Sequence, residues 1–131
     1  MQIFKTKRFA HSAKRKRIAD DSLSYAIERA ERGDLDTDLG GGVIEQYVPR
    51  ERSGVYIPPN FRRKRLGYQV LIAYRSGHRA VFLYGFALNK RAIIKDDELA
   101  TLREIAAVWL KAGADRLEDA IEEGILREVK S

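Results

Sequence analysis

Two strand-like segments separated by a short turn constrain the fold of this chain more than any other feature. Residues 68–75 (YQVLIAYR) and 79–86 (RAVFLYGF) are rich in β-branched and aromatic side chains, which favour extended strands. The intervening Ser76-Gly77-His78 is typical of a hairpin turn between antiparallel neighbours. Residues 43–48 alternate in the manner of a further strand, so the sequence predicts a core of three antiparallel strands.

Helical patterns flank these strands on both sides. A basic helix is predicted from residue 6 or 7, and a second begins in the N-cap cluster at residues 20–22 and ends at Gly33. A third helix begins at Asp96 or Asp97, and its apolar stripe is Leu99, Leu102, Ile105, Ala106 and Trp109. A weaker helix runs from residue 115 to Gly124.

The remaining segments complete the predicted architecture. Residues 1–5 are interpreted as a short edge strand, and residues 34–42 as turns. The three glycines that end this segment indicate sharp backbone reversal or close packing. A length of 131 residues suits a single domain spanning residues 1–131.

Charge is distributed unevenly along the chain. Residues 1–95 hold 20 Lys and Arg against 9 Asp and Glu, whereas residues 96–131 hold 5 against 10. Residues 49–66 (PRERSGVYIPPNFRRKRL) alone combine one acid with six cations: Arg50, Arg52, Arg62, Arg63, Lys64 and Arg65. A cluster of this kind between two strands can hold consecutive phosphates and predicts a polyanionic partner. The alternative is a solvated loop without a ligand.

Several classes of protein are disfavoured by the composition. No apolar run approaches the roughly 20 residues that cross a bilayer, and the N-terminal segment is charged where a signal peptide needs apolar residues. We therefore expect a cytoplasmic protein without membrane contact. Cysteine is absent and the only histidines are His11 and His78, which argues against zinc and thiol chemistry. We expect no metal and no cofactor.

Five blocks of sequence together carry a family resemblance. The blocks FKTKRFAHSAKRKRIADDSLSYAIERAERG, LGGGVIEQYV, GYQVLIAYR, HRAVFLYGFALNKRAII and DDELATLREIAAVWL resemble, in this order, the RelE/HigB-like toxins of bacterial type II toxin-antitoxin systems. The resemblance covers nearly the whole chain. It implies an α+β fold, in which two N-terminal helices pack on a small antiparallel sheet that also carries C-terminal helices. It further implies metal-independent endoribonuclease activity that cleaves mRNA, usually on the ribosome. It also implies a cognate antitoxin protein as partner.

The chemistry of such a toxin agrees with the residue types present. Attack of a ribose 2′-OH on the adjacent phosphate requires a base, an acid and cations that stabilise the transition state. Crowding by other cations lowers the pKa of a lysine, so Lys64 is a candidate base between two arginines. The candidate catalytic residues are Lys64, Arg62, Arg65, Lys90 and Arg91. The candidate RNA-binding residues are Arg50, Arg52, Arg63, Tyr68, Gln69 and Arg75, with Tyr68 and Tyr84 as possible stacking surfaces for a base.

Two positions depart from the pattern of the family. Gln69 stands where relatives typically have an arginine that grips the scissile phosphate, and Leu88 stands where they tend to have a lysine. Lys64 with its neighbouring arginines favours an active nuclease. Gln69 and Leu88 favour a catalytically weakened relative that binds RNA, DNA or an antitoxin through the same basic surface. Both hypotheses follow from the sequence.

Overall fold

The computed structural model describes residues 1–49, 67–87 and 94–130. Within these ranges the elements follow in this order: β1 Gln2–Thr6, α1 Lys7–Lys16, α2 Asp20–Glu31, β2 Thr37–Gly40, β3 Val43–Pro49, β4 Gly67–Arg75, β5 Arg79–Ala87, α3 Asp96–Lys111, α4 Ala114–Glu122 and β6 Leu126–Glu128. The predicted α+β class is confirmed, as are the predicted helices and the three core strands.

The strands form one sheet in the order β2-β3-β4-β5-β1-β6. Strands β3, β4 and β5 pair antiparallel as predicted, and the hairpin closes with Arg75 opposite Arg79. Strand β1 pairs parallel with β5 on one side and antiparallel with β6 on the other. The prediction that β1 lies at an edge was therefore wrong, because the three-residue strand β6 is too short to show an alternating pattern.

The segment before β3 also contains a strand that the sequence did not indicate. Thr37–Gly40 pairs antiparallel with β3, with an irregular register between Asp38 and Gly40. The predicted close packing of the glycines is confirmed, since a Cβ atom on Gly41 would lie 2.6 Å from Cγ of Arg103. Gly41 also has a φ of +62°, a left-handed conformation that glycine adopts readily. The turn thus packs directly on α3.

Helices cover both faces of the sheet. Helices α1 and α2 pack on one face through a cluster that includes Phe9, Leu23 and Ile27. Helices α3 and α4 pack on the other through Trp109 and Leu117. The predicted core position of Trp109 is confirmed. The predicted apolar stripe of α3 holds except at Ile105, whose side chain is exposed.

The predicted N-caps of α2 and α3 lie one residue or more from the observed ones, which are Ala19 and Lys95. The carboxylate of Asp20 serves another purpose, because it accepts hydrogen bonds from Lys5 Nζ at 2.6 Å and from the backbone N–H of Lys130 at 2.8 Å. Asp20 and Asp96 remain in the first turns of their helices, where a negative charge stabilises the helix dipole.

Side-chain hydrogen bonds of Arg29 connect the C-terminal part of α2 to the segment that precedes β2. Its guanidinium donates to Asp34 at 2.9 Å and to Asp36 at 2.8 Å. These hydrogen bonds, chiefly that to Asp34, raise the pKa of Arg29 above its ordinary value. Asp36 in turn accepts from the backbone N–H of Tyr47 at 2.6 Å. This network fixes β3, which carries part of the site described below.

Glu31 ties the same helix to the β4–β5 hairpin. Its carboxylate accepts hydrogen bonds from the hydroxyl of Tyr74, from Oγ of Ser76 at 2.8 Å and from the backbone N–H of Gly77 at 2.9 Å. The hydrogen bond from Tyr74, followed by that from Ser76, lowers the pKa of Glu31 below its ordinary 4.5. The charged carboxylate therefore stabilises the native state.

We expect this stabilisation to disappear in acid. A carboxyl group with a lowered folded pKa contributes its full stability above the unfolded pKa and loses it as the pH falls through the folded pKa. Glu31→Gln should therefore lower the melting temperature at pH 7, and the difference from the parent should shrink below about pH 4.5. Glu28→Gln, an exposed change on the same helix, is the control. An equal difference at pH 7 and pH 3 would contradict this role of Glu31.

Candidate nucleic-acid interface

Three strand ends meet at one end of the sheet, which we call the site end. Strand β3 ends at Pro49 opposite Gly67, the first residue of β4, and Ala87 at the end of β5 lies opposite Tyr68. The segments 50–66 and 88–93 are joined to these ends, and both lie outside the described residues. The fold therefore attaches the two cation-rich segments at the same end of the sheet, although they are distant in sequence.

A row of three side chains crosses this end on the face that also carries α3. Tyr47, Gln69 and Phe86 are direct cross-strand neighbours on β3, β4 and β5. Gln69 is only 7% exposed and Phe86 is also buried. A Cβ atom on Gly67 would lie 2.1 Å from Cε1 of Tyr47, so only glycine leaves room for this ring. The three side chains therefore form a packed surface at the site end.

The two candidate stacking tyrosines have different surroundings. Tyr68 points to the opposite face, is 8% exposed and donates its hydroxyl hydrogen to the backbone oxygen of Lys16 at 3.2 Å. The ammonium of Lys16 lies 5.6 Å from the centre of this ring. Tyr84 is 49% exposed, with its ring centre 6.1 Å from that of Phe86. Tyr84 is therefore the ring that is open to a base, whereas Tyr68 is enclosed.

A buried carboxylate lies on the same face as the row. Glu45 is 2% exposed and stands opposite Leu71 on β4. Tyr47 and its partner Gln69 form the next pair on this face, two residues along each strand. The sequence does not indicate a function for Glu45, although its alternation with Val43 and Tyr47 places the three on one face. A carboxylate here can hold a cationic side chain or accept a proton.

The helix α1 also reaches the site end. Nζ of Lys16 donates a hydrogen bond to the backbone oxygen of Gly85 at 3.1 Å. A Cβ atom on Gly85 would lie 3.3 Å from Cε2 of Phe9, so glycine at this position lets α1 pack closely on β5. The C-terminal end of α1 thus lies beside the last residues of β5.

Comparison with known families identifies the group to which this fold and site belong. The model of the RelE toxin of the RelE/RelB toxin-antitoxin system matches residues 1–129. The chain belongs to this toxin family. No curated protein and no solved structure gives a significant match. The resemblance inferred from the sequence is confirmed at the level of the RelE family, and membership implies an antitoxin as partner.

Most of the predicted site residues of this toxin lie outside the described ranges. They are Arg50, Arg52, Arg62, Arg63, Lys64, Arg65, Lys90 and Arg91. Of the described candidates, Tyr68 and Gln69 lie at the site end, on opposite faces. Arg75 is exposed at the other end of β4, six residues from Gln69, which is about 20 Å along a strand. The fold therefore does not bring Arg75 to the site end.

The burial of Gln69 bears on the arginine that the family resemblance implies at this position. The neutral amide occupies a packed position, and an unpaired arginine in such a place would be costly. The nearby carboxylate of Glu45 lies on the same face at a diagonal position, where cross-strand side chains are about 7–8 Å apart.

Two general properties of the described residues bear on partners. Within residues 1–49, 67–87 and 94–130, His, Asp and Glu side chains do not come together in groups of three that could hold a metal ion. Among the helices of the same ranges, none has the length and apolar character required to span a bilayer.

Proposed function

We propose that this toxin is an endoribonuclease that cleaves messenger RNA on the ribosome without a metal ion. The observation that carries the proposal is the attachment of both cation-rich segments to the site end of the sheet. Membership in the RelE toxin family supports it. The packed row of Tyr47, Gln69 and Phe86 lies at the strand ends to which these segments are joined, and precise positioning of catalytic groups requires rigid elements of this kind.

The proposed reaction uses the 2′-OH of the RNA itself as nucleophile. Lys64 in its neutral form removes the hydroxyl proton, O2′ attacks the adjacent phosphorus, and the bond from phosphorus to O5′ breaks. The leaving 5′-oxygen takes a proton, which gives a 2′,3′-cyclic phosphate and a 5′-hydroxyl end. Arg62 and Arg65 hold the phosphate oxygens, since guanidinium groups match them in geometry and charge. Lys90 adds positive charge or supplies this proton. Arg91, which stays protonated, adds positive charge.

The remaining candidates bind RNA around the scissile phosphate. Arg50, Arg52 and Arg63 would contact neighbouring phosphates, which position the strand without reading its sequence. Tyr84 offers an exposed ring at the site end, and stacking of an unpaired base on such a ring contributes about 1–3 kcal/mol.

A second function is favoured by Gln69. Because this position holds a buried neutral amide where the family pattern has an arginine, the toxin fold could retain binding without cleavage. The chain would then act as a nucleic-acid-binding or antitoxin-binding module through the same cation-rich segments.

The two functions are separated by a cleavage assay on ribosomes that carry a message. We expect broken messages with 2′,3′-cyclic phosphate ends, and arrested growth when the toxin is expressed without its antitoxin. A message with a single 2′-deoxynucleotide at the cleavage position is the matched control and should stay intact there, because it lacks the nucleophile. Intact messages together with normal growth at high soluble expression would rule out the nuclease and leave the binding module.

A further inference from the structure

The exposed face of α1 carries a continuous stripe of basic side chains. Lys7, Arg8, His11, Lys14 and Arg15 are all exposed. At 3.6 residues per turn these five positions lie within an arc of about 120°. The opposite face of the helix is buried through Phe9, Ala10 and Ala13. The sequence of α1, KRFAHSAKRK, contains no acid. We call these five side chains the α1 stripe.

The cations of the α1 stripe differ in their ion pairing from Lys5 on β1 and from Arg29 on α2. Lys5 and Arg29 form ion pairs with Asp20, Asp34 and Asp36. Within the described part of the chain, no side chain of the α1 stripe forms an ion pair. Lys7 and Lys14, like Arg8 and Arg15, are seven residues apart, which is about 10 Å along the helix. The stripe therefore presents two parallel rows of charge that remain available to an external anion.

The residue that ends α1 provides an independent observation. Arg17 has a φ of +58°, which places its backbone in the left-handed region. Among the described residues, no other non-glycine residue has a positive φ. Glycine or asparagine would adopt this conformation at lower cost. The exposed Arg17 side chain extends the α1 stripe beyond the end of the helix. A residue kept in an unfavourable conformation at an exposed position is a reason to look for a function of its side chain.

We infer that the α1 stripe and Arg17 form a second binding surface, for the backbone of double-helical RNA. The inference extends the proposed function and rests on it for the identity of the nucleic acid. Double-helical RNA fits because the exposed face carries cations but no Phe, Tyr or Trp on which unpaired bases could stack. Since Lys16 binds the backbone at Gly85, RNA on this surface would lie next to the site end.

The test measures binding of a blunt 20-base-pair RNA duplex as a function of salt. Lys14→Gln/Arg15→Gln should weaken binding by about 10-fold per lost contact at 0.1 M salt and should lower the salt slope by roughly one unit per contact. Lys111→Gln/Arg116→Gln removes the same charge from the α3 and α4 layer and should retain parental affinity. Melting temperatures establish that both variants are folded.

Arg17→Asn provides a second test that loss of folding cannot mimic. Asparagine tolerates the left-handed conformation, so the melting temperature should be equal to or above that of the parent. Affinity for the duplex should nevertheless fall about 10-fold at 0.1 M salt. Parental affinity in both Arg17→Asn and Lys14→Gln/Arg15→Gln would overturn the inference. An equal loss in the Lys111/Arg116 control would also overturn it, because net charge alone would then explain binding.

The choice of probes separates this inference from the proposed function. Equal affinity for a DNA duplex would overturn the assignment to RNA, and binding of single-stranded RNA alone would overturn the assignment to a double helix. Cleavage of the ribosome-bound message is measured separately. A toxin that binds the duplex through α1 but leaves the message intact would refute the proposed nuclease and not the second surface.

Discussion

Single-turnover cleavage of a ribosome-bound message should fall by about 10²- to 10⁴-fold when Lys64 is replaced by arginine, because a positioned general base contributes that much. Arginine keeps the positive charge but does not lose its proton near neutral pH. The parental rate should rise with pH as the base loses its proton and then level off, and Lys64→Arg should lose this rising limb. The measurement is the rate of message cleavage between pH 5 and pH 9.

Comparison with further variants separates proton transfer from electrostatics. Lys64→Ala should be as slow as Lys64→Arg if the lysine acts as base, whereas recovery of the rate in Lys64→Arg would assign it a purely electrostatic function. Lys111→Arg, an exposed change on α3, is the control and should cleave at the parental rate. A Lys64→Arg protein with parental activity and an unchanged pH profile would refute the assignment of Lys64 as base.

The elements that the sequence predicted well are those with a strong local period. The alternation in β4 and β5 and the 3.6-residue period of α2 and α3 reflect burial on one side, and such patterns are contained within each segment. Strands β2 and β6 are short and depend on pairing with distant residues. The parallel pairing of β1 with β5 joins residues more than 70 positions apart, and no local pattern encodes it.

The sequence predicts which residue types belong to the candidate site, whereas it does not indicate which of them are buried. The sequence identified the cation-rich segments and, through the family resemblance, singled out Gln69. Whether Gln69 lies on an open or a packed face depends on what covers the strand, and alternation indicates only which residues share a face. The same reason explains why Glu45 was not assigned a function: a carboxylate in a strand looks solvent-exposed from sequence, yet it is buried here.

The charge asymmetry along the sequence corresponds to opposite faces of the sheet in the fold. The acidic residues after position 95 belong largely to α3 and α4, which cover one face of the sheet, whereas the basic helix α1 lies on the opposite face. The acids of α3 and α4 therefore lie across the sheet from α1, and a segregated field of this kind steers a polyanion to one side of a protein. Both proposed RNA surfaces consist of residues from the basic part of the chain, residues 1–95.

Replacement of Arg79 by methionine should destabilise this toxin more than changes at exposed arginines. Arg79 is 5% exposed, and its Nη1 donates to the backbone oxygens of Trp109 and Ala112, each at 2.8 Å. Its Nε and Nη2 donate to Oε1 of Gln2 at 3.1 and 2.9 Å. One guanidinium therefore caps the C-terminal carbonyls of α3, joins the helix to the sheet and holds the start of β1.

The expected loss follows from what the substitution leaves behind. Burial lowers the pKa of Arg79 below its ordinary value, yet an arginine side chain stays protonated in proteins. Methionine would leave the buried carbonyl of Trp109 and the part-buried carbonyl of Ala112 without their donor. A buried acceptor left unsatisfied costs about 1–3 kcal/mol, so we expect a total loss of about 2–5 kcal/mol. The melting temperature should fall by roughly 10–20 °C in a domain of this size.

The neighbouring hairpin arginine gives the decisive control. Arg75 stands directly opposite Arg79 but is exposed, so Arg75→Met should change stability by no more than about 0.5 kcal/mol. Arg79→Lys should be intermediate, because an ammonium group keeps the charge but cannot reach Trp109, Ala112 and Gln2 with the fixed fork of a guanidinium. If Arg79→Met melts within a few degrees of Arg75→Met, the Arg79 network does not hold α3 on the sheet, and the apolar contacts of Trp109 and Leu110 are sufficient.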